Sequence, residues 1–250
     1  DPGITALSQA TPDETTLTGT RVLRTLDHLG WQPQAEGHGF AAGQPKFNYQ
    51  LRLTDAEGAA LTDEQLLKGM NQLWRRNIKK ADKLGVTVTR GERADLARFH
   101  HIYLETAERD HFTGRGLSYF ETMWDALNAE EPDRMRVYLA EHDGDLVAAT
   151  TFIRVGTHAW YSYGASTTAK REVRGSNAIQ WRMMRDARDA GADIYDLRGI
   201  TEGLAADDPE LGLIQFKVGT GGEAVAYLGE WDKPISSFLH FAFQQYLKRR

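Results

Sequence analysis

The sequence predicts an α+β fold, and three observations carry that reading. Short segments alternate apolar and polar residues with a period of two, as at Phe47, Tyr49, Leu51 and Leu53, the mark of a strand buried on one side. Longer segments place apolar residues three and four apart, as at Val22, Leu23, Leu26 and Leu29, the stripe of an amphipathic helix. Residues 136–164 hold three strand-like segments in succession, the first two joined by His142-Asp143-Gly144-Asp145, which reads as an antiparallel meander. The 250 residues carry 30 Lys and Arg against 35 Asp and Glu, a net charge of −5. That balance argues against coating nucleic acid or an anionic membrane, yet allows a local basic patch. Cysteine is absent, which excludes thiol catalysis, disulfide scaffolds, Cys-ligated zinc and iron–sulfur clusters. No apolar run approaches the roughly 20 residues that span a bilayer, and no signal-peptide pattern is present, so a cytoplasmic protein is expected.

Taken in order, residues 1–19 are rich in Thr, Pro, Asp and Ser and read as loop. The opening Asp1-Pro2-Gly3 suggests either a removed leader or the later part of a longer protein. Residues 20–29 form a helix closed by Gly30, and residues 47–53 a strand. Residues 62–84 read as one helix, with Asp63 and Glu64 in the first turn, where the dipole favours negative charge, and Gly85 after its end. At about 100° per residue, Leu66, Met70, Leu73, Trp74, Ile78, Ala81 and Leu84 share one side of it. Arg75, Arg76, Lys79, Lys80 and Lys83 share the other. A solvated face explains these cations as well as a docking surface for a polyanion does.

A strand at 86–89 and a helix at 95–108 follow, the latter with Leu96, Phe99, Tyr103 and Ala107 inward. A second helix runs from the Arg115–Phe120 stretch through Leu127. After the meander (136–140, 146–155, 158–164), Ser176 or Asn177 caps a helix that reaches Ala190 and stops at Gly191. Residues 194–197 form a short buried strand, and a loop contains Asp207-Asp208-Pro209. Two strands, 213–218 and 224–228, bracket Gly219-Thr220-Gly221-Gly222, and a last helix spans 236–250 after Lys233-Pro234. Its apolar positions are Phe238, Leu239, Phe243, Tyr246 and Leu247.

From residue 86 to 228 this order of elements resembles the GNAT-type acyltransferase fold, in which a twisted sheet splays between two central strands and the acyl donor lies in the gap. An acyl-CoA donor calls for small residues at a helix N-terminus after the meander, so that backbone N–H groups reach the pyrophosphate. The chain has Lys170-Arg171-Glu172-Val173-Arg174-Gly175-Ser176-Asn177 there. Glu172 takes the basic position and Asn177 the second small one, so CoA is disfavoured; Arg171, Arg174 and the helix N-terminus remain able to hold another anion.

Four motifs in order are more specific. They are Arg76-Asn77-Ile78-Lys79-Lys80-Ala81, Tyr161-Ser162-Tyr163-Gly164-Ala165-Ser166, Tyr195-Asp196-Leu197-Arg198-Gly199-Ile200, and Phe216-Lys217 before the glycine-rich turn. With them the chain, from about Gly30 onward, resembles the FemABX-type peptidyltransferases, in the compact form without a coiled-coil insertion. The resemblance implies tandem GNAT-like units, the first one incomplete here. Residues 1–48 would be its remainder, joined by the C-terminal helix at 234–250, and residues 49–233 the second unit. It further implies an aminoacyltransferase that moves an amino acid from aminoacyl-tRNA to an amine of a nucleotide-linked or lipid-linked peptidoglycan precursor. No cofactor or metal is implied, and a monomer is expected. An acyl-CoA-dependent N-acyltransferase and a non-catalytic RNA-binding module are the alternatives.

An aminoacyl ester attacked by an amine passes through a tetrahedral oxyanion, so the reaction needs a positioned amine and a fixed positive charge. Lys217, between apolar Phe216 and Val218, is the catalytic candidate, on a strand end facing the cleft; a strand lysine facing solvent is the other reading. The resemblance places Phe216 at the acceptor end of the tRNA, as a stacking face for the terminal adenine. It assigns Arg115, Tyr119 and Tyr163 to the precursor, where Arg suits phosphate or carboxylate. Arg75, Arg76, Lys79, Lys80 and Lys83 form the expected tRNA contact. Asp196, between Tyr195 and Leu197, is expected to pair with Arg198 structurally rather than to act as a base. His100, His101 and His111 show no metal-ligand spacing, and the attacking amine has no evident proton acceptor.

Overall fold

The computed structural model describes residues 14–33, 46–200 and 211–247. They fall into two units, one drawn from Asp1–Lys46 and Ala226–Arg250, the other from Phe47–Val225. The chain runs α1 (Glu14–His28), β1 (Gln32–Pro33), β2 (Phe47–Arg52), α2 (Asp63–Gly69), α3 (Gln72–Lys83) and β3 (Thr87–Gly91). Next come α4 (Leu96–Arg109), α5 (Leu117–Glu130), and the meander β4 (Met135–His142), β5 (Asp145–Val155) and β6 (His158–Ser166). Then follow α6 (Gly175–Asp189), β7 (Ile194–Ile200), α7 (Leu211–Val218), β8 (Glu223–Ala226), β9 (Trp231–Asp232) and α8 (Ser237–Leu247). Among the described residues no helix is long and apolar enough to cross a membrane.

In the first unit, α1 begins inside the stretch expected to be loop. Thr20 and Thr25 donate their hydroxyls to the carbonyls of Thr16 and Arg21, 2.9 Å in each case, so these polar side chains find partners inside the helix. β1 and β9 pair antiparallel, Gln32 with Asp232 and Pro33 with Trp231.

The second unit is built on a sheet of order β3-β4-β5-β6-β7-β2-β8. β3 through β6 run antiparallel, as the meander pattern requires. β6 and β7 run parallel, and a parallel neighbour needs a crossover, which α6 supplies. Their register covers His158–Trp160 against Ile194–Asp196 and then ends. Past that point β6 continues beside β5 to Ser166 and β7 continues beside β2 to Ile200, so the sheet splits at its centre. The fold is the α+β, GNAT-like arrangement expected from the order of elements.

Both faces of the sheet are covered, which is why β4 reads as a nearly continuous apolar run. Val137 and Leu139 join Phe99, Tyr103 and Phe120 from α4 and α5 in one core. Tyr138 and Ala140, on the alternate face, join Ile179 and Met183 of α6 together with Met70 and Trp74 in the other.

Three local expectations are corrected. The single helix over 62–84 is two helices. Met70 is extended (φ −70°, ψ 150°), and Asn71 caps α3 by accepting from the Trp74 N–H at 2.9 Å. The break resets the helical phase, so Leu73 is 56% exposed rather than part of the inner face, and Leu84, past the end of α3, is exposed as well. Residues 213–218 are not a strand: Ile214 and Lys217 are buried while Leu213 and Val218 are exposed, a three-residue spacing that only a helix satisfies. Finally, α6 is not capped by Ser176 or Asn177. It starts at Gly175 from Arg174 in the left-handed conformation (φ 66°), and Asn177 lies buried in its first turn. The expected loop at 207–209 and the last three residues of the expected C-terminal helix lie outside the described residues.

Candidate active site

Lys217 sits in the last turn of α7, 4% exposed, and its ammonium donates to the carbonyl of Gly199 near the end of β7. The expected position at a strand end is therefore corrected to a helix, and the group is held inside the protein rather than in bulk water. Three groups seat α7. The Trp74 indole N–H of α3 donates to the Phe216 carbonyl at 2.7 Å, and the two rings pack with centroids 4.8 Å apart. Tyr49 of β2 donates its hydroxyl to the Gly222 carbonyl at 2.6 Å. Thr220 donates its hydroxyl to the Lys217 carbonyl at 2.7 Å.

The glycine-rich turn after α7 follows from this seating. A Cβ on Gly219 would lie 2.2 Å from Trp74 Cδ1. One on Gly221, at φ +83°, would lie 2.1 Å from the carbonyl oxygen of Gly69. Only glycine fits both positions. Phe216 is half-buried, with one side against Trp74.

A second cluster forms where β6 runs beyond the split. The Tyr163 hydroxyl lies 3.1 Å from that of Tyr119, and the Arg115 guanidinium lies over the Tyr119 ring, 5.0 Å from its centre. Arg115 stands just before α5 rather than on its face. Its backbone carbonyl lies 3.0 Å from His100 Nε2. Tyr163 packs edge-on against Phe120 at 5.1 Å. Burial, and then the hydrogen-bonded Tyr119, push the Tyr163 hydroxyl up to about 12. The structure thus brings Arg115, Tyr119 and Tyr163 together. Tyr163 and Gly199 lie on the two strands that part at the split, each past the last paired residue.

On α3, Arg76, Lys79, Lys80 and Lys83 are exposed, opposite buried Trp74 and Ala81. Arg75 differs from the expected set: its guanidinium donates to the carbonyls of Leu67, at 3.4 Å, and Met70, closing the C-terminus of α2.

Asp196 is fully buried on β7. Its carboxylate accepts from the Arg198 backbone N–H at 2.6 Å, from Gln50 Nε2 at 3.0 Å and from His158 Nε2 at 3.2 Å. Burial alone would raise its pKa, but His158, the Arg198 N–H and Gln50 together hold it below the usual carboxylate value. The sequence pointed to an Asp196–Arg198 ion pair, but the contact shown is with the Arg198 backbone N–H, and His158 and Gln50, from neighbouring strands, were not expected. Nor did it identify Trp74, Tyr49 and Gly199 as the groups that seat Lys217 and its helix.

A cavity of about 700 Å³ lies between α4 and the β4–β5 turn, with Arg98, His101, Glu105, Asp145 and Lys170 in its lining. None of the expected site residues lines it. Lys170 is paired with Asp145 at 2.7 Å and Arg98 with Glu141, so both of these cations are already compensated.

The model of the FemAB family matches residues 2–145 and 129–249. This chain belongs to the FemAB family. The lipid II:glycine glycyltransferase of Staphylococcus aureus (strain USA300) is 25% identical over 298 aligned residues, covering 94% of this FemAB chain and 70% of the relative. The enzyme of the same name from strain bovine RF122 matches at the same identity and coverage. The crystal structure of FemX superposes with a TM-score of 0.79 at 22% identity, covering 90% of this chain and 71% of that one. A conserved protein of unknown function from Bacteroides thetaiotaomicron shares the fold at a TM-score of 0.52 and 10% identity, covering 81% of this chain and 62% of its own. By family and by relatives named glycyltransferase, this FemAB protein is an acyltransferase.

Proposed function

We propose that this FemAB protein transfers an aminoacyl group from aminoacyl-tRNA to an amine of a peptidoglycan precursor, lipid-linked or nucleotide-linked, forming an amide. The observation that carries the proposal is the buried Lys217 ammonium, fixed on the Gly199 carbonyl beside a split sheet. The amine nitrogen attacks the ester carbonyl, the C–N bond forms, and the C–O bond to the terminal ribose breaks. The ribose oxygen leaves with the proton the amine gives up, so the substrate itself serves as the acceptor. Lys217 offers its charge to the oxyanion between these steps, and its packed stem means that little reorganisation is needed then.

The other groups take roles that fit their chemistry. Arg115, with Tyr119 and Tyr163, binds phosphate or carboxylate groups of the precursor; the Tyr163 hydroxyl stays a neutral donor and the guanidinium supplies the charge. Phe216 offers a ring to the terminal adenine. Arg76, Lys79, Lys80 and Lys83 meet the tRNA backbone. The relatives' name, lipid II:glycine glycyltransferase, supports a lipid-linked acceptor. In this reading residues 1–48 with the C-terminal helix belong to one GNAT-like unit, and residues 49–233 to the other.

The test is incubation of the protein with charged tRNA and candidate lipid- or nucleotide-linked precursors, read by mass. One aminoacyl increment on the acceptor is the expected result. In the same assay Lys217→Met lowers turnover ten- to a hundredfold, roughly 1.4–2.7 kcal/mol of transition-state stabilisation, with an unchanged melting temperature. Wild-type turnover in that variant removes the role given to Lys217. Salt-sensitive tRNA binding without any mass increment would favour a non-catalytic module.

A further inference from the structure

The Gly199 carbonyl that holds Lys217 follows an irregularity in β7. On β2, Asn48 faces Gly199 and Gln50 faces Asp196, so two steps on one strand oppose three on the other. Arg198 falls within the longer segment and adopts a left-handed conformation, φ 66°, one that residues with a Cβ rarely take. Such bulges re-aim the groups that follow them. Asp196 holds this one: its carboxylate accepts the Arg198 backbone N–H at 2.6 Å, closing the turn across the extra residue. The other carboxylate oxygen is held by Gln50 and His158, on the strands to either side, and His158 is itself stacked on Trp160 with centroids 4.3 Å apart. The carboxylate is clamped on two sides.

We propose that Asp196 is a positioning residue for Lys217: through the Arg198 N–H it holds the bulge in β7 that presents the Gly199 carbonyl to the lysine ammonium. Its value for catalysis rests on the role proposed above for Lys217. Asp196 is fully buried and offers no surface to a substrate. The acceptor oxygen matters, not the charge, and an asparagine at this position keeps that oxygen.

The experiment compares full-length wild type with Asp196→Ala, Asp196→Asn and the double variant Asp196→Ala/Arg198→Gly. Two readouts are used: kcat and KM in the transfer assay, and the rate at which limiting acetic anhydride labels Lys217, followed by peptide mass. Asp196→Ala is expected to lower kcat at least tenfold with KM unchanged for both substrates, and to raise Lys217 labelling severalfold. Asp196→Asn stays within about threefold of wild type in both. Adding Arg198→Gly restores most of the lost kcat and protection, because glycine takes the left-handed conformation unaided.

Wild-type kcat and labelling in a folded Asp196→Ala protein overturn the proposal. So does a tenfold loss in Asp196→Asn with a native melting temperature, and that comparison decides alone where Asp196→Ala does not fold. Labelling needs no turnover. Full activity of Lys217→Met would therefore end the proposed role of the lysine while leaving the Asp196–Lys217 linkage measurable on its own.

Discussion

At the scale of single residues, the hydroxyls and the carboxylate of the site titrate in opposite directions, and each direction is a statement about stability. Tyr138, Tyr161 and Tyr163 are each pushed from 10.0 up to about 12, burial being the leading cause. The folded protein favours their neutral form, so this contribution is complete below pH 10 and is lost as pH rises from 10 toward 12. Denaturant midpoints should fall across that interval, with phenolate absorbance from these residues rising at higher pH in the folded protein than in the unfolded chain. A midpoint that holds steady to pH 12 would contradict the burial assigned to them. Asp196 behaves in the other sense. Its lowered pKa gives stability that is present above the ordinary carboxylate value, about 3.9, and is lost as pH falls through the folded value. In each case a partner or a packed environment, rather than the residue type, sets the direction.

At the scale of elements, α3 does two things with two faces. Its inner face supplies the Trp74 indole that seats α7, and its outer face presents Arg76, Lys79, Lys80 and Lys83. The two uses separate experimentally. Reversing Lys79, Lys80 and Lys83 to Glu should weaken tRNA binding at least tenfold in low salt and flatten its salt dependence, because fewer counterions are released. Melting should change little, since all three side chains are exposed. Unaltered tRNA affinity would remove the outer face from the binding surface. The break between α2 and α3 belongs to the same logic. Asn71 donates its backbone N–H to the Gly219 carbonyl at 2.9 Å, tying the start of the basic helix to the turn that follows α7. An uninterrupted helix from 62 to 84 would give up the Asn71 cap.

At the scale of the molecule, a net charge of −5 opposes a polyanionic partner everywhere except where cations gather, so a localised contact is the expected mode. The proposed choice of acyl donor is also tested at this scale. The segment after the meander puts Glu172 and a Lys170–Asp145 pair ahead of α6, where a CoA pyrophosphate would need backbone N–H groups and positive potential. Calorimetry with acetyl-CoA should therefore register no binding, while charged tRNA should bind. A micromolar acetyl-CoA complex would reverse the choice of donor. The split between β6 and β7 is shared by either donor, so the fold alone does not distinguish them.

The sequence by itself determined the elements whose periodicity was long enough to read: the meander, the amphipathic face of α4, and the basic face of α3. Two of the four short motifs also contain Tyr163 and Lys217, and the family resemblance pointed to Arg115 and Tyr119. Sequence pattern misread 213–218 as a strand, because a short apolar run carries no period that separates strand from helix. The break at Met70–Asn71 was equally hidden, since its cause is partly a carbonyl 148 positions further along the chain, that of Gly219. Only the tertiary structure decided that Lys217 is buried on Gly199, that Trp74 and Tyr49 seat its helix, and that Asp196 is held by His158 and Gln50. Those are contacts between distant segments. Local pattern records which faces must be buried, whereas the partner that buries them is fixed only when the strands and helices come together.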